Sequence, residues 1–198
     1  MIQLIFASRN QNKTKEINNI LQHTFPGRIE VKGLESLDYV GDIPETSLTI
    51  SGNATQKAMF IYDRYHQNCF AEDTGLEITA LNGEPGVYSA RYAGIQRNDQ
   101  DNINLVLAKM TGLTERSARF KTVISLVYEN TPYLFEGICK GKIALARKGN
   151  GGFGYDPIFI PDGYDHSFGE MPSSEKNKIS HRNIALQKMI QLFSEKIL

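Results

Sequence analysis

The chain lacks a charge bias: 22 lysines and arginines offset 22 aspartates and glutamates, and the formal net charge is zero. No Lys/Arg run supplies the basic face that a long nucleic acid requires. The expected anionic ligand is therefore small and met by a few focused cations. Cysteine is scarce too, with Cys69 and Cys139 alone among 198 residues and each inside an apolar run. Two such residues read as buried reduced thiols, which excludes a disulfide framework and a cysteine metal centre. No signal-peptide pattern and no run of about eighteen apolar residues is present, so the expectation is a cytoplasmic protein with no membrane partner. Repeats, low-complexity tracts and linker-like stretches are absent as well, and residues 1–198 read as one domain.

What is present is an ordinary globular composition, 40% apolar and 22% charged, arranged as alternating strand and helix patterns. Ile2 to Ala7 form an apolar strand, and Ile17, Ile20 and Leu21 give the buried face of a following helix. The polar stretch between them, Ser8, Arg9, Asn10, Gln11, Asn12 and Lys13, would bring backbone N–H groups to a phosphate. It lacks the glycines of a P-loop and also reads as an Asn-rich helix cap. A second strand near Ile29 to Lys32 precedes an acidic loop ending in Glu45, and a helix is expected from about Ser51 to Tyr65. Lys57 falls near the start of that helix and could reach a site there, although a single lysine is usually solvated.

The stretch Ala71-Glu72-Asp73-Thr74-Gly75 follows an apolar lead-in. It places two carboxylates at a strand end, where open α/β sheets keep their ligand crevice. Paired acids suit Mg²⁺, which takes oxygen ligands and is commonly shared with substrate phosphates, while Asp-Thr-Gly alone also makes a turn. Asn98 to Met110 reads as a helix ended by Gly112, Ala118 to Tyr128 as a long strand, and Tyr133 to Ala146 as its antiparallel partner. Gly149 to Pro157 contains G-x-G-x-x-G, but a strand at Ile158 to Ile160 follows it instead of a helix, against a dinucleotide fingerprint. Phe153 and Tyr155, set apart by Gly154, could instead offer rings to a flat ligand, with Asp156 accepting from a base edge. Near the C-terminus Ser180 would cap a closing helix, gathering Lys176, His181 and Arg182 at its start.

Taken together, these motifs resemble the inosine triphosphate pyrophosphatase family. The match runs in order through Ser8 to Lys13 with Glu16, Glu45-Thr46, Asn53-Ala54 with Lys57-Ala58, and Glu72 to Leu76. It continues through Pro85 to Tyr92, Gly152 to Pro157, and Glu175-Lys176 with Ile179 to Arg182. Six or more separated matches make coincidence improbable.

The resemblance implies an elongated two-lobed α/β fold, a mixed twisted sheet with flanking helices and a nucleotide cleft between the lobes. It implies a Mg²⁺-dependent homodimer that cleaves the α–β phosphoanhydride of ITP, dITP or XTP. By resemblance Glu45, Asp73 and Glu72 hold the metal, Asp73 activates water, and Lys13, Lys57 and the Ser8 to Asn12 backbone hold phosphates with Thr74 nearby. Phe153 and Tyr155 would flank the purine, Asp156 would accept its N1–H, and Lys176, His181 and Arg182 would donate to the 6-oxo group. Four residues depart from the commonest pattern. Ser47 stands where glycine is frequent, Gly52 where an acid often precedes Asn53, Glu72 where many relatives carry Asp, and Asn183 where glycine often follows His-Arg. Of these, Gly52 matters most, since it removes a nearby carboxylate. The competing expectations are a nucleotide-sensing module without turnover and a related pyrophosphatase acting on other bases, such as pyrimidine triphosphates.

Overall fold

The computed structural model describes residues 1–198, apart from the side chain of Asn12. One six-stranded mixed sheet has the order β2-β1-β3-β4-β5-β6. Its strands are β1 (Ile2–Phe6), β2 (Ile29–Lys32), β3 (Cys69–Ile78), β4 (Ser117–Tyr128), β5 (Thr131–Ile143) and β6 (Phe159–Pro161). The helices are α1 (Gln11–Thr24), α2 (Ile50–Tyr65), α3 (Asp99–Lys109), α4 (Ser173–Ile179) and α5 (His181–Leu192). β1 runs parallel to both β2 and β3, with Ile2 beside Ile29 and Ile5 beside Cys69, as helical crossovers through α1 and α2 require. β6 returns antiparallel to the end of β5. Between β4 and β5 the chain reverses through Glu129 and Asn130, both at positive φ, the backbone of a tight hairpin whose twist matches its strands.

The chain divides into two compact units, one of residues 1–73, 123–135 and 186–198, the other of residues 74–122 and 136–185. Each has an apolar core of its own. In the first, Ile5, Ala7, Leu34, Ala58, Ile61, Cys69, Ala71 and Val127 pack together. In the second, Leu76, Ile78, Ile103, Val106, Met110, Phe120, Ile143, Phe159 and Phe168 do so. The boundary falls inside β3, between Asp73 and Thr74.

Local chemistry sets the ends of the elements that carry functional residues. Asn10 caps α1 by accepting the Lys13 N–H at 3.1 Å, so Gln11 to Lys13 belong to the first helical turn instead of to a loop. Thr49 caps α2 by accepting the Gly52 N–H at 3.0 Å. Ser180 caps α5, its hydroxyl accepting the Asn183 N–H at 3.2 Å. The preceding helix, α4, is a departure from the sequence reading, which has no helix before Ser180.

Candidate active site

In the first unit the acids are organised by two lysines. Lys57, about two turns into α2, donates to Glu45 Oε1 at 2.6 Å and to Asp73 Oδ1 at 3.0 Å. Its side chain is about one-tenth exposed, so burial drives the ammonium pKa down, but Asp73 and Glu45 together outweigh that and raise it. Asp73 is also raised: burial favours its neutral form, Lys57 only partly offsets this, and the nearby negative charge of Glu45 adds a smaller upward push. The outcome is a charged lysine beside an aspartate more basic than usual.

Glu72 takes the other direction. Consecutive residues of a strand point to opposite faces, and Glu72 pairs with Lys13 Nζ at 2.8 Å while its neighbour Asp73 pairs with Lys57. The expected trio of Glu45, Asp73 and Glu72 is therefore a pair plus an outlier. Among the described residues no group of three or more His, Cys, Asp or Glu side chains converges as a metal cage. Glu45 and Asp73 remain a hard-oxygen pair of the kind that shares a Mg²⁺ with substrate phosphates, so the donor chemistry fits that ion.

The segment before Lys13 divides between helix-start contacts and the surface. Ser8 Oγ accepts the Asn10 N–H at 3.2 Å, and Gln11 is exposed at the start of α1. Arg9 turns to the surface, donating to the Val40 and Gly41 carbonyls and pairing with Asp42 at 3.0 Å. Such an exposed ion pair ties down a loop and contributes little energy. The Asn12 side chain lies outside the described residues.

In the second unit, Gly152 and Gly154 both have positive φ and let the segment turn back on itself. A Cβ on Gly152 would overlap the Asp156 carboxylate. Asp156 is buried, accepts the Phe153 N–H at 2.8 Å and is paired with Lys176 Nζ. Lys176 lies 4.5 Å and the Arg182 guanidinium 5.6 Å from the Phe153 ring centre, so two cations and one ring that is 55% exposed form a common surface. Tyr155 corrects the sequence reading. It is 4% exposed, packs in the core and donates its hydroxyl to the Ser89 carbonyl at 2.8 Å, so it cannot offer an open ring face. His181 is similarly buried, stacked on Phe120 at 4.6 Å between ring centres. Thr74 shares a hydrogen bond of 2.6 Å with Thr122.

Sequence reasoning missed Asp99, whose carboxylate accepts the Gly154 N–H at 2.8 Å and anchors the aromatic loop to the first turn of α3. No local pattern announces it, because an acid after an Asn cap is ordinary helix-start chemistry.

Comparison with known proteins gives the family and the fold. The family model described as the Ham1 family matches residues 4–192. The chain belongs to the Ham1 family. A dITP/XTP pyrophosphatase of Flavobacterium johnsoniae is 49% identical over 193 residues, covering 98% of each chain. One of Bacillus subtilis is 42% identical over 196 residues, covering 97% of each. Among solved structures, a HAM1 protein from Coxiella burnetii superposes with a TM-score of 0.91 at 35% identity, over 98% of this chain and 100% of that one. The Staphylococcus aureus Ham1 protein gives 0.89 at 38% identity, over 98% of each. Within this Ham1-family chain the acids and lysines of the first unit and the aromatic loop of the second are thus parts of a fold shared over its full length.

Proposed function

We propose that this protein hydrolyses dITP, ITP and XTP between the α- and β-phosphates, giving the nucleoside monophosphate and pyrophosphate. The observation that carries the reading is Lys57 held between Glu45 and Asp73 in a chain 49% identical to a dITP/XTP pyrophosphatase. Such a site supplies what phosphoanhydride cleavage needs: carboxylates for a metal, cations for phosphate oxygens, and a base.

Glu45 and Asp73 are the residues that would hold Mg²⁺, with phosphate oxygens and water completing its coordination. When bound, the ion withdraws charge from the phosphates. Asp73 would take the proton of the attacking water. Lys57 and Lys13 hold phosphate oxygens by direct ammonium contacts. Glu72 holds the Lys13 ammonium at 2.8 Å.

Base choice belongs to the second unit. Phe153 offers its exposed ring to the purine, and Asp156 has carboxylate acceptor capacity for N1–H beyond its bonds to Phe153 and Lys176. Lys176 and Arg182 donate toward the 6-oxo oxygen. Adenine presents an amino donor there and lacks N1–H, which leaves polar groups unpaired at about 1–3 kcal/mol each. The protein works as a cytoplasmic homodimer in this proposal.

The test is pyrophosphate release from equal concentrations of ITP, dITP, XTP, GTP, ATP and UTP with Mg²⁺, the nucleotide product being identified by chromatography. Monophosphate from ITP, dITP and XTP well ahead of the others is expected. Binding of these nucleotides without any pyrophosphate would replace the proposal with a sensing role, and preference for UTP would replace the purine assignment.

A further inference from the structure

Glu45 has no regular element to hold it, because Asp42 to Ser47 belong to neither helix nor strand. It is fixed instead by the side of α2. The Thr46 N–H donates to Gln56 Oε1 at 2.8 Å, and Gln56 Nε2 donates back to Thr46 Oγ1 at 2.8 Å. The Ser47 N–H donates to Asn53 Oδ1 at 2.9 Å, and Asn53, 2% exposed, directs its Nδ2 at Asp73 Oδ2, 3.5 Å away. Lys57 completes the row on Glu45 itself. Positions 52, 53, 56 and 57 share one helix face, so three consecutive residues of an irregular segment are each gripped by the same side of α2.

Gly52 belongs to this row by what it omits. A Cβ built there would overlap Ser47 Oγ and come within 2.7 Å of Ser47 Cβ and of Thr49 Oγ1. The hydroxyl could rotate away, but Ser47 Cβ moves only if the backbone of the segment moves with it. Ser47 therefore fills a notch that Gly52 leaves. Ser47 and Gly52 thus form one unit of packing, since a side chain at 52 would need the space that Ser47 fills.

We propose that Gly52, Asn53 and Gln56 form a seat on α2 that positions Glu45 against Lys57 and Asp73, with Ser47 and Gly52 as an interlocked pair. These are positioning residues: they act through Glu45 and, for Asn53, also through its contact with Asp73. The inference rests on the reading of Glu45 as a metal-binding carboxylate.

Two readouts test it in the full-length protein. Amide hydrogen exchange by NMR reports the Thr46 and Ser47 N–H groups directly, without metal or turnover. The Mg²⁺ concentration giving half-maximal pyrophosphate release from ITP reports the placement of Glu45. Gln56→Leu and Gly52→Ala should each speed exchange at Thr46 and Ser47 and raise the Mg²⁺ requirement about tenfold or more, the usual effect of losing a ligand's support. Gln56→Glu, which keeps the acceptor, should recover most of both losses. Adding Ser47→Gly to Gly52→Ala should restore the Mg²⁺ requirement, because it vacates the notch. Unchanged exchange in both single variants, an unchanged Mg²⁺ requirement, or a double variant no better than Gly52→Ala would overturn the proposal. Should Gly52→Ala fail to fold, Gln56→Leu and Gln56→Glu decide by the same readouts. Absence of pyrophosphate from the wild-type protein would refute the proposed reaction alone, and the exchange data would still decide the seat.

Discussion

Removing the ammonium of Lys57 while keeping its bulk, as in Lys57→Met, is the most informative single perturbation of the first unit. The variant leaves two carboxylates beside one another, with side chains 14% exposed at Asp73 and 30% at Glu45. Breaking a buried pair costs about 3–5 kcal/mol, and the partial exposure of Glu45 reduces this to about 2–4 kcal/mol. For a domain of this size 1 kcal/mol moves Tm by about 2–4 °C, so a fall on the order of 4–16 °C is expected in the presence of chelator at pH 8. The sign with pH follows from Asp73. Its pKa, already raised by burial, rises further once the opposing pull of Lys57 is gone. An acid with a raised folded-state pKa lowers stability above that pKa and not below the unfolded value, so the deficit of the variant should shrink as pH falls from 8 to 5. Mg²⁺ should recover part of the loss, since a ligand bound only by the folded state stabilises it. The assay is thermal unfolding of wild type and variant at both pH values, with chelator and with Mg²⁺. A variant that melts within a degree of wild type in chelator at pH 8 would refute the claim that Lys57 compensates buried charge.

Asp73→Asn should lower turnover by about 10²–10⁴-fold, the usual contribution of a general base, while nucleotide binding measured by calorimetry persists; near-normal turnover would reassign the base. Burial pushes the Cys69 thiol up to about 12 and the Cys139 thiol up to about 11, so iodoacetamide at pH 8 should label neither in the native protein and both after denaturation. For the same reason stability should fall by about 1.4 kcal/mol per pH unit per thiol once the unfolded thiols ionise, above about pH 9, and a Cys69→Ala variant should lose one share of that slope. Gly152→Ala forces a side chain into positive φ and into the Asp156 carboxylate, so a loss of about 1–3 kcal/mol in urea unfolding should accompany a higher KM for ITP; an unchanged KM would detach the aromatic loop from base recognition.

Much of this architecture is legible in the sequence because apolar spacing and capping chemistry agree. A helix expected from Ser51 to Tyr65 spans Ile50–Tyr65, and the long strand expected from Ala118 spans Ser117–Tyr128. α4 escapes such reading, since Ser-Ser-Glu-Lys-Asn-Lys-Ile contains no apolar stripe and none of its residues is buried. The acids at 72 and 73 are legible as a pair but not as divided, because their placement depends on β3 continuing through them to Ile78. Phe153 and Tyr155 look equivalent as letters. Glycines at positive φ on either side of Phe153 turn one ring outward and the other into the core, a distinction made only by backbone angles. The amides of Asn53 and Gln56 look like solvated helix residues until the segment they hold has been placed against them.

The pairing of lysines with the acids of the first unit bears on how the protein lives through changes in divalent ion supply. Three carboxylates stand within salt-bridge distance of two ammonium groups that the chain itself supplies. Folding of that unit therefore does not wait for a metal, unlike a small zinc domain whose binding energy is its folding energy. Under the proposed Mg²⁺ site, metal arrival would exchange one cation for another and leave the displaced ammonium available to the phosphates. Scarcity of divalent ions would then silence the proposed activity while leaving the fold of that unit in place.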